Sequence, residues 1–264
     1  MDAADFFGLE PTDDPRRWHL PVVPELCSTR GALFGGCGLG AAIDRLEHVT
    51  GRPLVWATAQ FLSYAQPPAV VDLDLDEIVR GHLISQARVT ARVDDREIFT
   101  VTAALGQRPS EWRGSWAIRP DVPGPADSPP RILEAQHLGT LAERLDMRLA
   151  DARPASELPG PPGLGTCALW VHLPDLEESP AALAIVGDFV PFGIGQALGE
   201  RVGGNSLDNT IRVATRTPTG WILADVRVHT VDDGFGHGLV HLWAEDGTLL
   251  GTASQSTIVR SWER

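Results

Sequence analysis

The feature that most constrains this chain is that it resembles itself. The stretch Val93-Asp94-Asp95-Arg96-Glu97-Ile98-Phe99-Thr100-Val101-Thr102-Ala103 parallels Ala244-Glu245-Asp246-Gly247-Thr248-Leu249-Leu250-Gly251-Thr252-Ala253-Ser254. A glycine-rich helical pattern precedes each copy, with Gly36 falling opposite Asp188. Two copies of a helix followed by an antiparallel meander imply a duplicated α+β unit. A curved antiparallel sheet wrapped around one long buried helix would hide the apolar face of each copy.

The local patterns fill in that frame. Residues 18–26 have strand character broken by prolines. The small residues of 31–40 run into a helix over 41–49, where Leu39, Ala42, Ile43, Leu46 and Val49 recur at helical spacing. Alternation and β-branched content predict strands over 54–64, 70–79, 85–93 and 98–106. Residues 107–131, rich in Pro, Gly, Trp and Arg, read as a linker packed in part by Trp112 and Trp116. A short helix is expected over 132–141. The second copy then offers strands over 145–151 and 167–173, and a helical run over 175–186. A central helix over 188–202 follows, then strands over 209–217, 220–229, 238–244 and 249–260. The expected organisation is a first unit over 1–106, a linker over 107–143 and a second unit over 144–264.

The copies differ in chemistry. Asp188 ends an apolar run and precedes an apolar helical one, and Pro191 suits a first helical turn. Asp188 is therefore expected to cap that helix, where the dipole stabilises negative charge. Its counterpart is Gly36; the counterparts of Ser206 and Gln255 are read as Trp56 and Ala104. A carboxylate, a hydroxyl and an amide thus gather in the second copy alone. Brought to one cleft, they would orient a water. Taken singly, each has a plain explanation as a cap, a turn residue or an exposed strand polar.

Composition narrows the partners. The net charge of −13 over 264 residues disfavours nucleic acid and anionic membranes. No apolar run is read as reaching the roughly 18 residues of a membrane span. The acidic start, Met1-Asp2-Ala3-Ala4-Asp5, lacks the basic and apolar regions of a secretory signal. Three scattered cysteines argue for a reducing, cytoplasmic setting rather than a disulfide framework. All 22 basic residues are arginine, so Schiff-base chemistry and a phosphate-binding lysine are excluded.

The stretches Phe34-Gly35-Gly36, Gln60-Phe61-Leu62-Ser63-Tyr64, Gly187-Asp188-Phe189-Val190-Pro191, Ser206-Leu207-Asp208-Asn209-Thr210 and Thr252-Ala253-Ser254-Gln255 resemble the acyl-CoA thioesterase II family of double-hotdog enzymes. The resemblance runs from about Phe6 to Arg260 and rests on the order and spacing of these stretches. It implies a tandem (double) hotdog, α+β in class, with two antiparallel sheets each wrapped around a long central helix. It also implies hydrolysis of a fatty acyl-CoA, with no cofactor and no metal, by a water held by Asp188, Ser206 and Gln255. Ser206 stands where relatives often have Thr, which keeps the hydroxyl. Gly35 and Gly36 are expected at the substrate, with helix N–H groups meeting the oxyanion. Arg212, Arg227 and Arg260 are candidates for the coenzyme A phosphates, with Arg212 chosen for substrate binding. Paired sheet edges point to a homo-oligomer, and the activity to lipid metabolism.

Two rivals share the fold. A hotdog enoyl-CoA hydratase carries Gly-Asp-x-Asn-Pro-x-His, whereas this chain reads Gly187-Asp188-Phe189-Val190-Pro191-Phe192-Gly193 and lacks the Asn and His. A non-catalytic acyl-CoA-binding protein would not need the three polar residues. His237 and His241 mimic a helical metal pair, but the flanking glycines and strand pattern place them two pleats apart. Gly36-Cys37-Gly38-Leu39-Gly40 lacks the spacing of a nucleotide loop, no Gly-x-Ser-x-Gly elbow is present, and Cys37 reads as a packing residue.

Overall fold

The computed structural model describes residues 1–261. In the first half, helix α1 (Ala3–Phe7) and the short strands β1 (Glu10–Pro11) and β2 (Arg17–Pro21) precede helix α2 (Gly35–Thr50). Strands β3 (Leu54–Phe61), β4 (Val70–Arg80), β5 (Ile84–Val93) and β6 (Arg96–Gly106) complete it. The second half supplies β7 (Asp146–Asp151), β8 (Thr166–His172), α3 (Pro180–Val186) and α4 (Val190–Leu198). It closes with β9 (Val202–Val213), β10 (Ile222–Asp232), β11 (Phe235–Ala244) and β12 (Leu249–Ser261).

These strands form one antiparallel sheet in the order β1-β2-β4-β5-β6-β3-β9-β12-β11-β10-β8-β7. The order reads the same from either end once each strand is exchanged for its repeat equivalent. The two expected half-sheets are thus fused into one through β3 and β9. At the join the hydroxyls of Thr58 and Thr210, themselves equivalents 152 residues apart, hydrogen-bond to each other. Helix α2 packs on β3 to β6, and α4 on β8 to β12.

Several local expectations are corrected. Helix α2 begins at Gly35, six residues ahead of the predicted start, because glycine is needed where the helices touch. A Cβ on Gly36 would lie 2.7 Å from the Ala184 carbonyl oxygen, and one on Gly40 would lie 3.0 Å from that of Ala181. The predicted helix over 188–202 ends at Leu198, and the Gly203-Gly204 pair already lies in strand β9. Pro191 packs so close to Gly204 that a Cβ there would sit 3.0 Å from the proline ring. Strand β9 therefore starts seven residues early. Residues 132–141 hold only the 3-10 turn Ala135–His137 and the start of another, Leu141–Arg144. Trp112 and Trp116 are 92% and 89% exposed, so neither ring packs into the core. Instead Ala117 and Val122 cover the outer face of the second half, and the Trp170 indole donates to the Pro123 carbonyl at 2.8 Å. The stretch Pro180–Leu198 is long and apolar enough to cross a membrane, contrary to the reading of the sequence. Here 78% of its most apolar window is buried inside the molecule as core helix.

Candidate active site

Proline at position 191 offers no N–H to a preceding turn, and the helical path breaks between α3 and α4. Asp188 sits in that break. It does not cap α4 as expected: the N-cap is Phe189, without a side-chain hydrogen bond. The Asp188 carboxylate instead crosses to the other half and caps α2, whose own N-cap, Phe34, has no side chain able to do so. Oδ2 accepts the Gly36 N–H at 2.7 Å. The dipole that stabilises this charge therefore belongs to the partner repeat.

Strands β9 and β12 bring in the other two groups. Strand β9 carries one extra residue against β12, since Asp208 pairs with Ser256 but Ser206 pairs with Thr257. This bulge at Leu207 turns both Asn209 and Ser206 to the inner face. The first half has the same bulge at Val55, between Leu54 and Trp56. With the 152-residue spacing of Thr58 and Thr210, the structural counterparts of Ser206 and Gln255 are Leu54 and Ala103. These replace the Trp56 and Ala104 read from sequence. Both counterparts are buried and apolar, so the chemical asymmetry of the halves is sharper than the sequence alignment implied.

Asp188, Ser206 and Gln255 meet. The Gln255 amide Nε2 donates to Asp188 Oδ1 and lies 2.5 Å from Ser206 Oγ, which is itself 3.5 Å from Asp188 Oδ1. Asp188 is 5% exposed and Gln255 2%. Burial pushes the Asp188 carboxyl up to about 7, against the opposing pull of the Gly36 N–H, the Gln255 amide and the Ser206 hydroxyl. A carboxyl poised there exchanges a proton at neutral pH.

Asp188 and Ser206 line a cavity of about 550 Å³ that takes walls from both halves. Gly35 lines it too. A Cβ on Gly35 would lie 2.8 Å from the Phe61 ring and 2.9 Å from Asp188 Oδ2, so only glycine fits. Gly36 spends its N–H on Asp188. On one flank Arg30 donates to Asn205 Oδ1 at 2.8 Å, the Asn205 amide reaches the Tyr64 hydroxyl, and Arg260 stands exposed nearby.

Of the arginines singled out, only Arg260 is at the cavity. Arg212 is exposed on the outer face of β9, opposite in direction to buried Ile211, and is not brought to the site. Arg227 also faces outward and pairs with Asp225 at 2.8 Å. His237 and His241 stand on strand β11. Cys37 is fully buried, and burial raises its thiol well above the ordinary range, as befits packing.

Sequence reasoning missed three features of the site. Asn209 is 1% exposed, faces Gln255 across the β9–β12 pair, and has no partner for either amide atom. Tyr64, Arg30 and Asn205 form the polar flank. Arg131 and His137, from the segment between the halves, line the cavity beside Phe192 of α4. The spacing of Asn209 from Ser206 could have flagged the first only with the bulge known. Nothing local marks the others.

The family model described as the acyl-CoA thioesterase C-terminal domain matches residues 119–259, more than half of the chain. A solved structure assigned as a thioesterase, from Novosphingobium aromaticivorans, is 31% identical. It superposes with a TM-score of 0.83 over 96% of this chain and 98% of its own. An acyl-CoA thioesterase II from Mycobacterium marinum is 20% identical, with a TM-score of 0.76 over 98% of both chains. A hot dog fold protein of unknown function from Alicyclobacillus acidocaldarius is 22% identical, with a TM-score of 0.85 over 98% of both. No curated protein matches the chain in sequence.

Proposed function

This chain belongs to the acyl-CoA thioesterase family, thioester hydrolases of hotdog fold, and from that premise we propose that it cleaves a fatty acyl-CoA at Asp188, Ser206 and Gln255. The observation that carries the assignment of residues is their contact. One buried carboxylate is held by an amide, a hydroxyl and a helix N–H at the wall of a cavity of ligand size.

Asp188 Oδ1 and Ser206 Oγ would hold the attacking water, with the Gln255 amide fixing both. Asp188 takes a proton as the water oxygen bonds the thioester carbon, a proximity and general-base effect. Among the described residues the Gly35 N–H has no protein acceptor. It lies at the positive end of α2, so it is our candidate donor to the developing oxyanion. Collapse breaks the C–S bond, and the proton on Asp188 passes to the departing thiolate. The products are the free acid and coenzyme A, and no covalent enzyme intermediate forms. Arg260 at the cavity is the candidate partner for coenzyme A phosphate, in place of Arg212.

The contacts of Asp188 favour hydrolysis over the two rivals. A binding protein has no use for a carboxyl near neutrality at the cavity wall. A hydratase needs an imidazole beside the carboxylate, and the side chains bonded to Asp188 are Ser206 and Gln255. Thiol release from a chain-length series of acyl-CoAs, measured on the wild type and Asp188→Asn, tests the proposal. Silence across the series, or full activity in the variant, overturns it.

We read 1–106 and 144–264 as two hotdog units joined by 107–143. We also propose a cytoplasmic homo-oligomer working in lipid metabolism. Support comes from three unpaired, buried cysteines and from the sheet edge at β1. Sedimentation of the purified chain as a monomer would remove the oligomer.

A further inference from the structure

We propose that the cavity is built for an acyl chain ending in a carboxylate, and that Arg131 receives that carboxylate. This rests on the thioesterase reading for the coenzyme A part of the ligand, but the two separate by experiment.

Arg131 lines the same cavity as Asp188. Its immediate partners are all uncharged: Nη1 points at Met147 Sδ at 3.2 Å, Nη2 at His137 Nε2 at 3.2 Å, and the guanidinium lies 5.7 Å from the centre of the Phe192 ring. Among the described residues no carboxylate lies within ion-pair distance of it. Glu134 is the nearest acid in the electrostatic balance, yet its oxygens are taken by Arg201 at 3.0 Å and by Gln136 at 2.7 Å. Burial lowers the pKa of Arg131 and that of His137. His137 Nδ1 accepts the Glu134 N–H at 3.0 Å, so a neutral ring carries its proton on Nε2 and puts no negative charge beside Arg131.

A guanidinium whose immediate contacts are all uncharged has not been neutralised. Such a charge at an apolar wall is costly unless an anion completes it. The planar fork matches a carboxylate in particular. Arg131 could instead meet a coenzyme A phosphate. A phosphate is strongly hydrated, however, and the exposed Arg260 suits it better. A desolvated arginine beside Phe192, Leu145 and Met147 suits a mostly apolar occupant with one charged end.

The test compares matched pairs: succinyl- with butyryl-CoA, adipoyl- with hexanoyl-CoA, and suberoyl- with octanoyl-CoA. For at least one pair the wild type should favour the dicarboxylic member in kcat/KM by about tenfold or more, the scale of one good ion pair. Arg131→Met should erase that preference, and Arg131→Lys should keep part of it. Preference for the neutral member in every pair overturns the inference. So does an equal loss on both members in Arg131→Met. If the loss disappears with 3′-dephospho-CoA esters, the anion is the coenzyme A phosphate and the assignment to the acyl end fails. Equilibrium binding of the corresponding non-hydrolysable thioethers gives the second readout. Carboxylate-selective binding without hydrolysis sustains this inference and sinks the thioesterase assignment; hydrolysis without selectivity does the reverse.

Discussion

Asp188 and Gly36 occupy equivalent positions in the two repeats, and one bonds the other: the Asp188 carboxylate accepts the Gly36 N–H at 2.7 Å across the pseudo-two-fold axis. The pair explains why only one repeat keeps its acid. A side chain at Gly36 would run into the backbone of Ala184 and Ile185. A second carboxylate facing the first would also raise both pKa values by like-charge repulsion.

Replacing Asp188 by Asn should abolish the base while keeping the shape. We expect kcat to fall by about 10²–10⁴, the usual worth of a general base, with KM changed little. Steady-state rates on one acyl-CoA, with circular dichroism to show the fold intact, check it.

The same carboxyl sets the pH dependence. With its pKa near 7, the ionised fraction and hence kcat should rise with pH from about 5 to 8 and then level. Stability should run the other way. Between the ordinary value of 3.8 and about 7 the native state holds a proton that the unfolded chain releases. Stability therefore falls as pH rises through that window. Asp188→Asn should flatten this slope and melt higher than wild type above pH 7, by a margin of order a few kcal/mol. Melting curves at four pH values decide; parallel slopes for the two proteins would count against burial as the cause.

Gly36→Ala tests the helix contact. The added methyl would meet the Ala184 carbonyl oxygen at 2.7 Å and the Ile185 Cα at 2.8 Å. Overpacking of this kind costs about 1–3 kcal/mol. Chemical denaturation should show the loss, together with lower activity as Asp188 shifts; an unchanged midpoint would mean that the helices part freely.

Ser206→Ala and Gln255→Leu should each lower kcat by about tenfold or more with little change in KM, since they orient the water rather than grip substrate. The double variant should lose less than the product of the two, because Gln255 bonds Ser206 directly at 2.5 Å. A fully multiplicative loss would mean that the two act independently.

Asn209→Leu addresses the unpartnered amide beside Gln255. Exchanging an unsatisfied buried amide for an apolar group of similar shape is neutral or stabilising. The melting temperature should hold or rise. A clear drop would reveal a buried water satisfying Asn209 in the native protein.

Much of the fold was legible because its signals are local. Alternation along β4, β5 and β6 and the helical spacing after Leu39 come directly from burying one face. Asp188, Ser206 and Gln255 stood out because the first repeat has no polar counterparts to them, and the family resemblance implied that they act together. Features set by contacts distant in sequence were not. Asp188 looked like the cap of the helix it precedes, since nothing near it announces the uncapped start of α2. The early start of β9 at Val202 was hidden because the need for glycine at Gly204 comes from Pro191. Arg212 lies on the outer face of β9, and nothing local ranks it against the other arginines. Arg131 lay in a segment without periodicity, where position is decided entirely by what it packs on.

The mirror-like strand order has a consequence for ligand stoichiometry. Every point near the join exists twice in each polypeptide, yet the reflected place carries Gly36, Leu54 and Ala103 where the site has its acid, hydroxyl and amide. A tight-binding thioester analogue should therefore titrate one molecule per chain, however many chains assemble. Severing the chain between the halves would divide the centre itself, since its acid and the helix end that steadies it come from opposite sides of the cut.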